Sequence, residues 1–557
     1  MTDWTWLVPL PVVVPLSAAG LALALYRRPT LQRVVSVVAL TIVVVVSAAL
    51  LVLADDGPLV VDVGGWAAPV GIDLVADRLS ALMLTVSATV TLCVLLYSLA
   101  QGQEDDEESA PISIFHPTYL VLTAGVANAF LSGDLFNIYV GFEILLAASF
   151  VLLTLGGTRE RIRAGTIYVV VALLSSVLFL VALASIYAAT GTVNLAQLAI
   201  RLPEIDPGVR LVLQVLLILA FAIKAAVFPL SAWLPDSYPT APAPVTAVFA
   251  GLLTKVGVYA IIRTQTLLFP EGRIDDALMW AALATMVVGI LGAVAQDDIK
   301  RLLSFTLVSH IGYMVFGIAL STDAGWTAAI YYVVHHITVQ TALFLVVGLV
   351  ERAGGSTSLT KLGGLAKLAP LLAILFFVPA MNLSGIPPLS GFLGKLGLLE
   401  AGVQVGTPLA YVLVVGSVVT SLLTLYALVK AWNKAFWQVP EEERPPVRLP
   451  FGMVGPAAAL IVFGLGLTVA AGPLYAYTER AADALTERTP YVEAVLPDGK
   501  RGKGVSVDVT EEAAHGGEAG EAGTDAADTT GSPPDATGTS GSASDAAVRT
   551  DVAGVGG

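Results

Sequence analysis

The chain has 557 residues, of which 56% are hydrophobic and only 13% are charged. Soluble domains carry about a quarter of charged residues, so this composition predicts a polytopic membrane protein and excludes a soluble globular one. The single cysteine, Cys93, and the lack of any Cys/His cluster in the sequence argue against disulfides, iron–sulfur clusters and zinc sites. No phosphate-loop pattern occurs either, so we expect no ATP hydrolysis, no cofactor and no resident metal.

Apolar runs follow one another through most of the chain, which predicts an all-α fold. A bilayer crossing needs about 20 mainly apolar residues. About fourteen such runs occur, near 6–26, 31–54, 78–100, 114–131, 135–155, 164–189, 208–228, 245–267, 277–295, 302–320, 325–350, 366–385, 408–432 and 452–475. We divide the chain into three N-terminal helices (1–110), two groups of five helices (111–270 and 271–435), a last helix with an end segment (436–490) and a tail (491–557).

The tail is acidic, and after Gly504 it is rich in Gly, Ala, Thr and Asp and has no aromatic residue. Such a segment cannot bury enough apolar surface to fold, so we predict that it is disordered. The loops predict the orientation. One alternate set holds fifteen Lys and Arg residues, whereas the opposite set holds seven: Arg78, Arg201, Arg210, Arg263, Arg273, Arg480 and Arg488. Because cytoplasmic loops are the more basic ones, both termini are expected on the outer face of a bacterial plasma membrane.

Three lysines lie within apolar runs instead of loops: Lys224, Lys255 and Lys395. One acid matches them, Glu143, far from either end of its run, while Asp134 at the start of that run suits an interfacial or capping role. A single membrane lysine can snorkel to the interface or neutralise a structural carboxylate. Three lysines and a glutamate near run centres favour a functional role, because a charge there costs roughly 2.5–3.5 kcal/mol on insertion scales.

Three histidines also lie inside apolar runs: His310, His335 and His336. Relay and purely structural roles both remain open for them. A metal site at the adjacent pair is disfavoured, since neighbouring residues of a helix point to different faces. A row of Lys, His and Glu can carry protons, because a buried lysine that gains and loses its acid partner binds and releases a proton. Pumps and exchangers need such groups.

Two of the apolar runs are interrupted by proline close to a lysine. Lys224 precedes the proline of "PLS" (229–231) by five residues, and Lys395 follows the serine of a second "PLS" (388–390) by five. Paired discontinuous helices indicate inverted repeats, here about 114–268 and 276–433, with the ion path at their interface. Freed backbone groups at such breaks need protein or water as partners, so we expect a wet path there.

Four stretches together resemble one family. They are "GDLFNIYVGFE", "AFAIKAAVFPLSAWLPDSYPTAPAPVTAVFAGLLTKVGVY", "QDDIKRLLSFTLVSHIGYM" and "GIPPLSGFLGKLGLL". They are similar to the antiporter-like membrane subunits shared by Mrp-type cation/proton antiporters and respiratory complex I, over about residues 1–475. Within that family the D-type subunits of Mrp antiporters are the most similar, and the M and N subunits of complex I are near relatives. The resemblance implies fourteen helices, two inverted five-helix repeats, and discontinuous helices seven and twelve.

The resemblance also implies roles for individual residues. Glu143 matches the helix-five glutamate that pairs with the helix-seven lysine, Lys224. Lys255 matches the helix-eight relay lysine, His310 the helix-ten polar position, and Lys395 the helix-twelve lysine that ends the path.

One position departs from this pattern. Gln340 stands where many members carry a lysine, and a glutamine cannot relay a proton by titrating. His335 or His336, together with water, could replace that lysine.

These observations lead to one functional expectation and two alternatives. We expect a proton-translocating subunit of a multi-subunit monovalent cation (Na+ or K+)/proton antiporter, not an enzyme. Its partners would be the other small and large membrane subunits, the lipid bilayer, and the transported ions, and no nucleic acid. The first alternative is a proton-pumping subunit of complex I or a membrane hydrogenase. The second is a structural scaffold subunit whose relay Gln340 interrupts.

Overall fold

The computed structural model describes residues 4–104, 112–439 and 448–497. Within these ranges, thirteen helices are long and apolar enough to cross a membrane. The first half contains α1 (Leu10–Ala24), α2 (Pro29–Leu53), α3 (Arg78–Glu104), α4 (Ile112–Leu131), α5 (Leu135–Thr154), α6 (Arg159–Thr190), α7 (Leu195–Arg201), α8 (Pro207–Ala225), α9 (Trp233–Ser237), α10 (Ala243–Val248) and α11 (Thr254–Leu267). A π-helical turn, Phe249–Leu253, joins α10 to α11 into one continuous span.

The second half is also helical. It contains α12 (Asp275–Val294), α13 (Ile299–Ala319), α14 (Asp323–Gly354), α15 (Leu365–Leu368), α16 (Pro370–Ser384), α17 (Ser390–Val405), α18 (Pro408–Trp432), α19 (Phe451–Val469), α20 (Ala471–Glu487) and α21 (Thr489–Val495). Short 3-10 turns lie at Thr5–Leu7, Val63–Gly65, Leu202–Glu204 and Tyr238–Thr240, and a second π-helical turn at Asn433–Trp437. The predicted run 366–385 corresponds to α16, which has 15 residues and is shorter than a span. The polytopic all-α prediction is therefore confirmed.

The helices divide into an outer shell and a central group. Outer helices such as α2, α6 and α18 leave large apolar side chains exposed, among them Val45, Val177 and Leu422, as lipid-facing surfaces require. The spans formed by α10–α11 and α14 are enclosed by other helices along their whole length. At the centre, α14 packs against α10, α13, α16, α17, α19 and α20. The polar side chains of these central helices therefore face protein instead of lipid.

One end of the bundle carries a β-hairpin that the all-α prediction missed. Strands β1 (Leu59–Asp62) and β2 (Asp73–Ala76) pair antiparallel, with Leu59 opposite Ala76 and Asp62 opposite Asp73. We call this end the hairpin face. Helix α21 packs there against α7 and β1, and α20 packs against α3, α11 and α14. The predicted run 452–475 therefore divides at Ala470 into α19 and the start of α20.

The loops at the opposite end of the bundle contain many of the fifteen Lys and Arg residues of the more basic set. We call this end the basic face. Arg161 Nε donates to Thr240 O at 3.3 Å, Arg301 pairs with Asp236 at 2.9 Å, and Lys430 Nζ donates to Gln296 O at 2.9 Å. The inverted relation of 114–268 to 276–433 stays a prediction. The first residues of the predicted tail, 491–497, are described, and they complete α21, in which Tyr491 and Val495 are buried. The prediction of disorder from residue 491 is therefore wrong at its start, because this segment packs its apolar side chains on the bundle. The acidic remainder of the tail lies outside the described residues.

Candidate functional site

Lys224 lies in the last turn of α8, immediately before the first helix break. The chain leaves the helix through Ala226, whose φ of +60° is left-handed, and Val227 N donates back to Ala222 O at 2.9 Å. Trp233 Nε1 occupies a further freed carbonyl, Ile223 O, at 3.2 Å. The last carbonyls of a helix carry partial negative charge, so a cation in the final turn is stabilised. The break thus provides a favourable place for an ammonium group within the membrane.

Glu143 and Lys224 are joined through Ser176. The Ser176 hydroxyl donates to Glu143 Oε1 in a short hydrogen bond, and Lys224 Nζ donates to Ser176 Oγ at 3.2 Å. The Lys224 ammonium also lies 4.9 Å from the centre of the Phe142 ring, a cation–π distance. Helices α5, α6 and α8 each supply one member of this group. A hydroxyl can accept from one neighbour while it donates to the other, so Ser176 is placed to pass a proton between them.

A small cavity lies beside Lys224. Its volume is about 20 Å³, and its lining includes Lys224, Ser175, Tyr168 and Leu253. This volume suffices for about one water molecule. Leu253 belongs to the π-helical turn that precedes α11. The cavity therefore lies between the first lysine and the helix of the second.

Lys255 is completely buried in α11. Its Nζ donates to Ala250 O at 2.6 Å, a carbonyl of the π-helical turn. Single π turns within α-helices occur mostly at functional sites. Gly251, in the same turn, packs so closely on α14 that an added Cβ would lie 2.3 Å from Thr341 Oγ1. This close approach brings the lysine's turn against the central helix.

The three predicted histidines form one buried cluster around Tyr332. His310 Nδ1 lies 2.7 Å from Tyr332 Oη, and the rings of His310 and His336 are 5.2 Å apart. His335 continues the cluster, with Nδ1 2.9 Å from Ser390 Oγ at the start of α17. The cluster lies between two lysines, close enough that His336 interacts electrostatically with Lys255 and His335 with Lys395. The structure thus brings together residues that are far apart in sequence.

Several polar atoms of this cluster have no partner among the described protein atoms. They are His310 Nε2, His335 Nε2, both ring nitrogens of His336, and Gln340 Oε1. Gln340 itself donates through Nε2 to Leu303 O at 2.9 Å. Buried polar atoms nearly always have a hydrogen-bond partner, either protein or water. These unpaired atoms lie together around His336 and Gln340, and Gln340 is the residue that cannot titrate. They indicate a place where water can bridge the side chains.

Lys395 lies beyond the second helix break and binds the end of the helix before it. Its Nζ donates to Leu383 O at 3.2 Å, Ser384 O at 3.1 Å and Ser421 Oγ at 2.8 Å. Gly385 forms the left-handed end of α16 with φ +85°. The two breaks use their carbonyls differently. Lys395 donates to the freed carbonyls of α16, whereas those at the end of α8 accept from Val227 N and Trp233 Nε1. In both runs the lysine lies next to the C-terminal end of a helix, where a positive charge is stabilised.

The sequence-predicted residues and the polar side chains beside them make up a set that we call the polar row: Glu143, Ser176, Lys224, Lys255, Gln340, His336, His310, Tyr332, His335, Ser390 and Lys395. Sequence reasoning missed Ser176, Tyr332 and Ser390. Only the second "PLS" hinted at Ser390, and hydroxyl residues are too common in apolar runs to mark the other two. Among the described residues, no group of three His, Cys, Asp or Glu residues could hold a metal ion.

Two of the seven arginines assigned to the less basic loops are buried within helices. Arg263 is buried in α11 and holds Asp77 through two hydrogen bonds of 2.6 and 2.8 Å. Arg210, in α8, pairs with Glu271 at 2.6 Å. Both were counted among the seven loop residues of the less basic set, and that part of the assignment is wrong. Each arginine is paired with an acid at the hairpin face, and this pairing offsets the cost of burying the guanidinium charge.

A larger polar cavity lies at the basic face. Its volume is about 360 Å³, and it is lined by Arg161, Lys300, Glu351 and Arg352 together with Gly348 of α14 and neighbouring residues. Lys300 and Glu351 form an ion pair of 2.6 Å across it. The cavity is large enough for several water molecules.

Comparison with known proteins identifies the family to which the chain is similar. The sequence pattern of the family described as "NADH:quinone oxidoreductase/Mrp antiporter, TM" matches residues 132–424. The chain is 40% identical to the D-type subunit of the Na(+)/H(+) antiporter from Alkalihalophilus pseudofirmus, over 88% of this chain and 99% of the relative.

Solved structures agree with these sequence matches. A chain of the Mrp complex from Dietzia sp. has a TM-score of 0.83 and 35% identity, and the match covers 89% of this chain and 100% of that one. A chain of the membrane-bound sulfane sulfur reductase, an archaeal respiratory membrane complex, has a TM-score of 0.81 and 26% identity, with 88% and 100% covered. The chain belongs to the family of membrane subunits shared by NADH:quinone oxidoreductases and Mrp antiporters.

Proposed function

We propose that this chain is the D-type, proton-translocating subunit of a multi-subunit monovalent cation (Na+ or K+)/proton antiporter. The observation that carries the proposal is the polar row: buried lysines, histidines and a glutamate connected by hydroxyl groups along the centre of the bundle. The identity to the D-type subunit of a Na(+)/H(+) antiporter, over nearly the whole length of that relative, supports the same conclusion. The partners are the other small and large membrane subunits of the antiporter.

The geometry supports an order for proton movement. A proton exchanged between Glu143 and Lys224 passes through the Ser176 hydroxyl. From Lys224 it continues to Lys255, whose helix begins beside the same small cavity. Beyond Lys255, water at the unpaired atoms of Gln340 and His336 bridges to the remaining histidines.

Tyr332 bonds His310, and Ser390 bonds His335 at the start of α17, the helix that carries Lys395. Lys395 is therefore the last titratable group of this order. The 360 Å³ cavity provides water at the basic face, where protons enter or leave.

For the orientation, we assign the basic face to the cytoplasm and the hairpin face, with both termini, to the outside of the bacterial plasma membrane. The fifteen-to-seven excess of Lys and Arg supports this assignment. Removing the residues that are buried in helices, Lys300 from the larger set and Arg210 and Arg263 from the smaller, leaves fourteen against five.

The Glu143→Gln variant tests the proposal. Glutamine keeps an oxygen for the Ser176 hydroxyl but removes the negative charge that Lys224 needs when it is protonated. We expect Na+- or K+-driven proton flux in inside-out vesicles to fall below detection while the antiporter still assembles. The exposed Glu160→Gln change at the start of α6 is the matched control and should transport normally. Flux at the wild-type level in Glu143→Gln would overturn the proposal.

A second candidate function is favoured by one observation, the fold likeness to a respiratory membrane complex at a TM-score of 0.81. In that case the polar row would pump protons using a redox reaction in other subunits. Purification of the tagged chain in mild detergent separates the two functions. Small antiporter subunits among the co-purified proteins support the proposal, and flavin or iron–sulfur subunits support the alternative.

A further inference from the structure

Two acidic side chains at the hairpin face are buried outside the membrane spans and outside the polar row. Asp73 of β2 is fully buried, and Asp134, between α4 and α5, is 5% exposed. They lie on adjacent backbone segments: Gly133 N donates to Asp73 O at 2.9 Å, and Asp134 forms an antiparallel bridge with Asn194. Neither carboxylate forms an ion pair with a lysine or arginine of the described chain. Buried acids without such a partner are costly and rare.

Each carboxylate uses one oxygen for structure and leaves the other free. Asp73 Oδ1 accepts from Asn194 Nδ2 at 2.8 Å, and Asp134 Oδ1 accepts from Asn137 N at 2.6 Å as the N-cap of α5. The Oδ2 atom of each has no hydrogen-bond partner among the described residues. Gly133 leaves room for this arrangement, since an added Cβ would lie 2.0 Å from Asp73 Oδ2.

A third unpaired oxygen comes from the C-terminal helix α21. Tyr491 is 4% exposed, its hydroxyl has no partner among the described residues, and it interacts electrostatically with Asp73. Arg263 lies 5.2 Å from the Tyr491 ring centre, but both of its terminal nitrogens are engaged by Asp77. The remaining charged neighbour of Asp73 is Asp62 of β1, which is also an acid. The group is therefore rich in oxygen, and the cation beside it, Arg263, is already paired with Asp77.

The electrostatics agree with this description. Burial and the neighbouring Asp134 raise the pKa of Asp73 to about 7, and burial raises the pKa of Asp134 to about 6. Both shifts mean that the folded protein disfavours two bare negative charges at this place.

We propose that Asp73, Asp134 and Tyr491 bind one alkali-metal cation at the hairpin face. The three oxygens Asp73 Oδ2, Asp134 Oδ2 and Tyr491 Oη supply the hard ligands that such ions prefer. Binding occurs when the carboxylates are ionised, and a proton that occupies the same oxygens excludes the cation. The site is separate from the polar row, so this inference goes beyond the proposed function and does not depend on it.

Infrared difference spectroscopy on the purified complex tests the site directly. Spectra in NaCl or KCl minus spectra in choline chloride of the same ionic strength, at alkaline pH, report carboxylates that bind the metal ion. We expect a saturable carboxylate signal in the wild type and its loss in both Asp73→Asn and Asp134→Asn. Asparagine is a good N-cap, so Asp134→Asn preserves the start of α5. Tyr491→Phe should weaken the apparent affinity about tenfold, the effect of losing about 1.4 kcal/mol of binding free energy.

Two controls make the outcome decisive. Asp56→Asn, an exposed acid of the same loop, should keep the signal. Glu143→Gln should also keep it, so that a failure of transport and a failure of this site are distinguishable. A wild-type complex without the signal, or a signal that persists in Asp73→Asn or Asp134→Asn, would refute the cation site.

Discussion

At the scale of single residues, Ser176 offers the sharpest test of the first half of the polar row. Its hydroxyl is the only atom of the described residues that bonds both Glu143 and Lys224. Ser176→Ala keeps both charges but removes the connection, and hydrogen bonds to charged groups are worth about 1.5–3 kcal/mol. We expect proton flux in vesicles to fall about tenfold or more.

Ser185, on the same helix, provides the matched control for that experiment. Its hydroxyl is exposed and donates to Val181 O of its own helix at 2.8 Å. Ser185→Ala should therefore leave flux within about twofold of wild type. Equal flux in the two variants would show that protons reach Lys224 by a route that does not use Ser176.

The histidine cluster makes a second prediction. Replacement of His335 and His336 together by asparagine keeps hydrogen-bonding capacity but removes titration, so exchange should stop if these rings bridge the gap at Gln340. Gln340→Lys in the same background supplies a titratable group and should partly restore flux in vesicles. His116→Asn is the control, because His116 bonds Ser36 at 3.0 Å away from the polar row.

The scaffold interpretation forecasts the opposite result for the double variant. If Gln340 interrupts the relay, loss of the two histidines leaves vesicle flux and cellular Na+ tolerance unchanged. In that event, the histidine bridge is abandoned and the second half of the polar row has no proton-carrying role.

The charged and the hydroxyl residues of the polar row differ in how far the sequence predicted them. Glu143, Lys224 and Lys395 were identifiable because a charge within an apolar run is costly, and that cost is visible without a structure. Ser176 and Tyr332 carry no such cost, and their roles follow only from the packing of separate helices. Nor could the sequence show that Glu143 meets Lys224 through a hydroxyl, since the distance depends on how α5, α6 and α8 pack.

At the scale of helices, the end of α16 couples backbone conformation to a transport residue. Gly385 has φ +85°, and an added Cβ would lie 2.9 Å from Lys395 Cδ. Gly385→Ala should therefore cost roughly 1–2 kcal/mol of stability from the left-handed backbone and also displace the lysine. We expect a lower melting temperature of the complex and at least tenfold lower proton flux.

Gly406 ends α17 with a similar conformation, φ +68°, but an added Cβ there meets only backbone oxygens at 3.8 Å or more. Gly406→Ala should lose a similar amount of stability from the left-handed backbone. Its proton flux per assembled complex should equal that of the wild type. If Gly385→Ala loses no more activity than Gly406→Ala, the position of Lys395 at the break does not control transport.

Two features of the hairpin face could not be predicted from the sequence: the β-hairpin and the docking of α20. Strands of four residues each, LVVD and DLVA, give too short a pattern to separate from a loop between two spans. The docking of α20 could not be predicted either, because its contacts are with residues that are far away in the sequence. Arg480 bonds Asp55 at 2.8 Å, and Tyr477 donates to Leu51 O at 3.2 Å. Arg480, together with Arg78, holds the pKa of Asp55 below its usual value.

At the scale of the whole molecule, these contacts fix which parts share one side of the membrane. Helices α20 and α21 cover the hairpin face, so the described end of the chain at residue 497 must lie on the same side as Asp56. Arg159 starts α6 at the basic face and is also exposed. The assignment of the hairpin face to the outside can therefore be tested with two positions.

Cysteine labelling provides that test, because the chain has one native cysteine, Cys93, which is replaceable by alanine. In this background, Asp56→Cys should react with a membrane-impermeant maleimide in intact cells. Arg159→Cys should react only after the cells are permeabilised, since the excess of Lys and Arg holds the basic face in the cytoplasm. Each cysteine variant serves as the control for the other, since labelling of one of them shows that the protein is present and that the reagent is active. The reverse labelling pattern would invert the topology, and it would place the cation site of Asp73 and Asp134 on the cytoplasmic side.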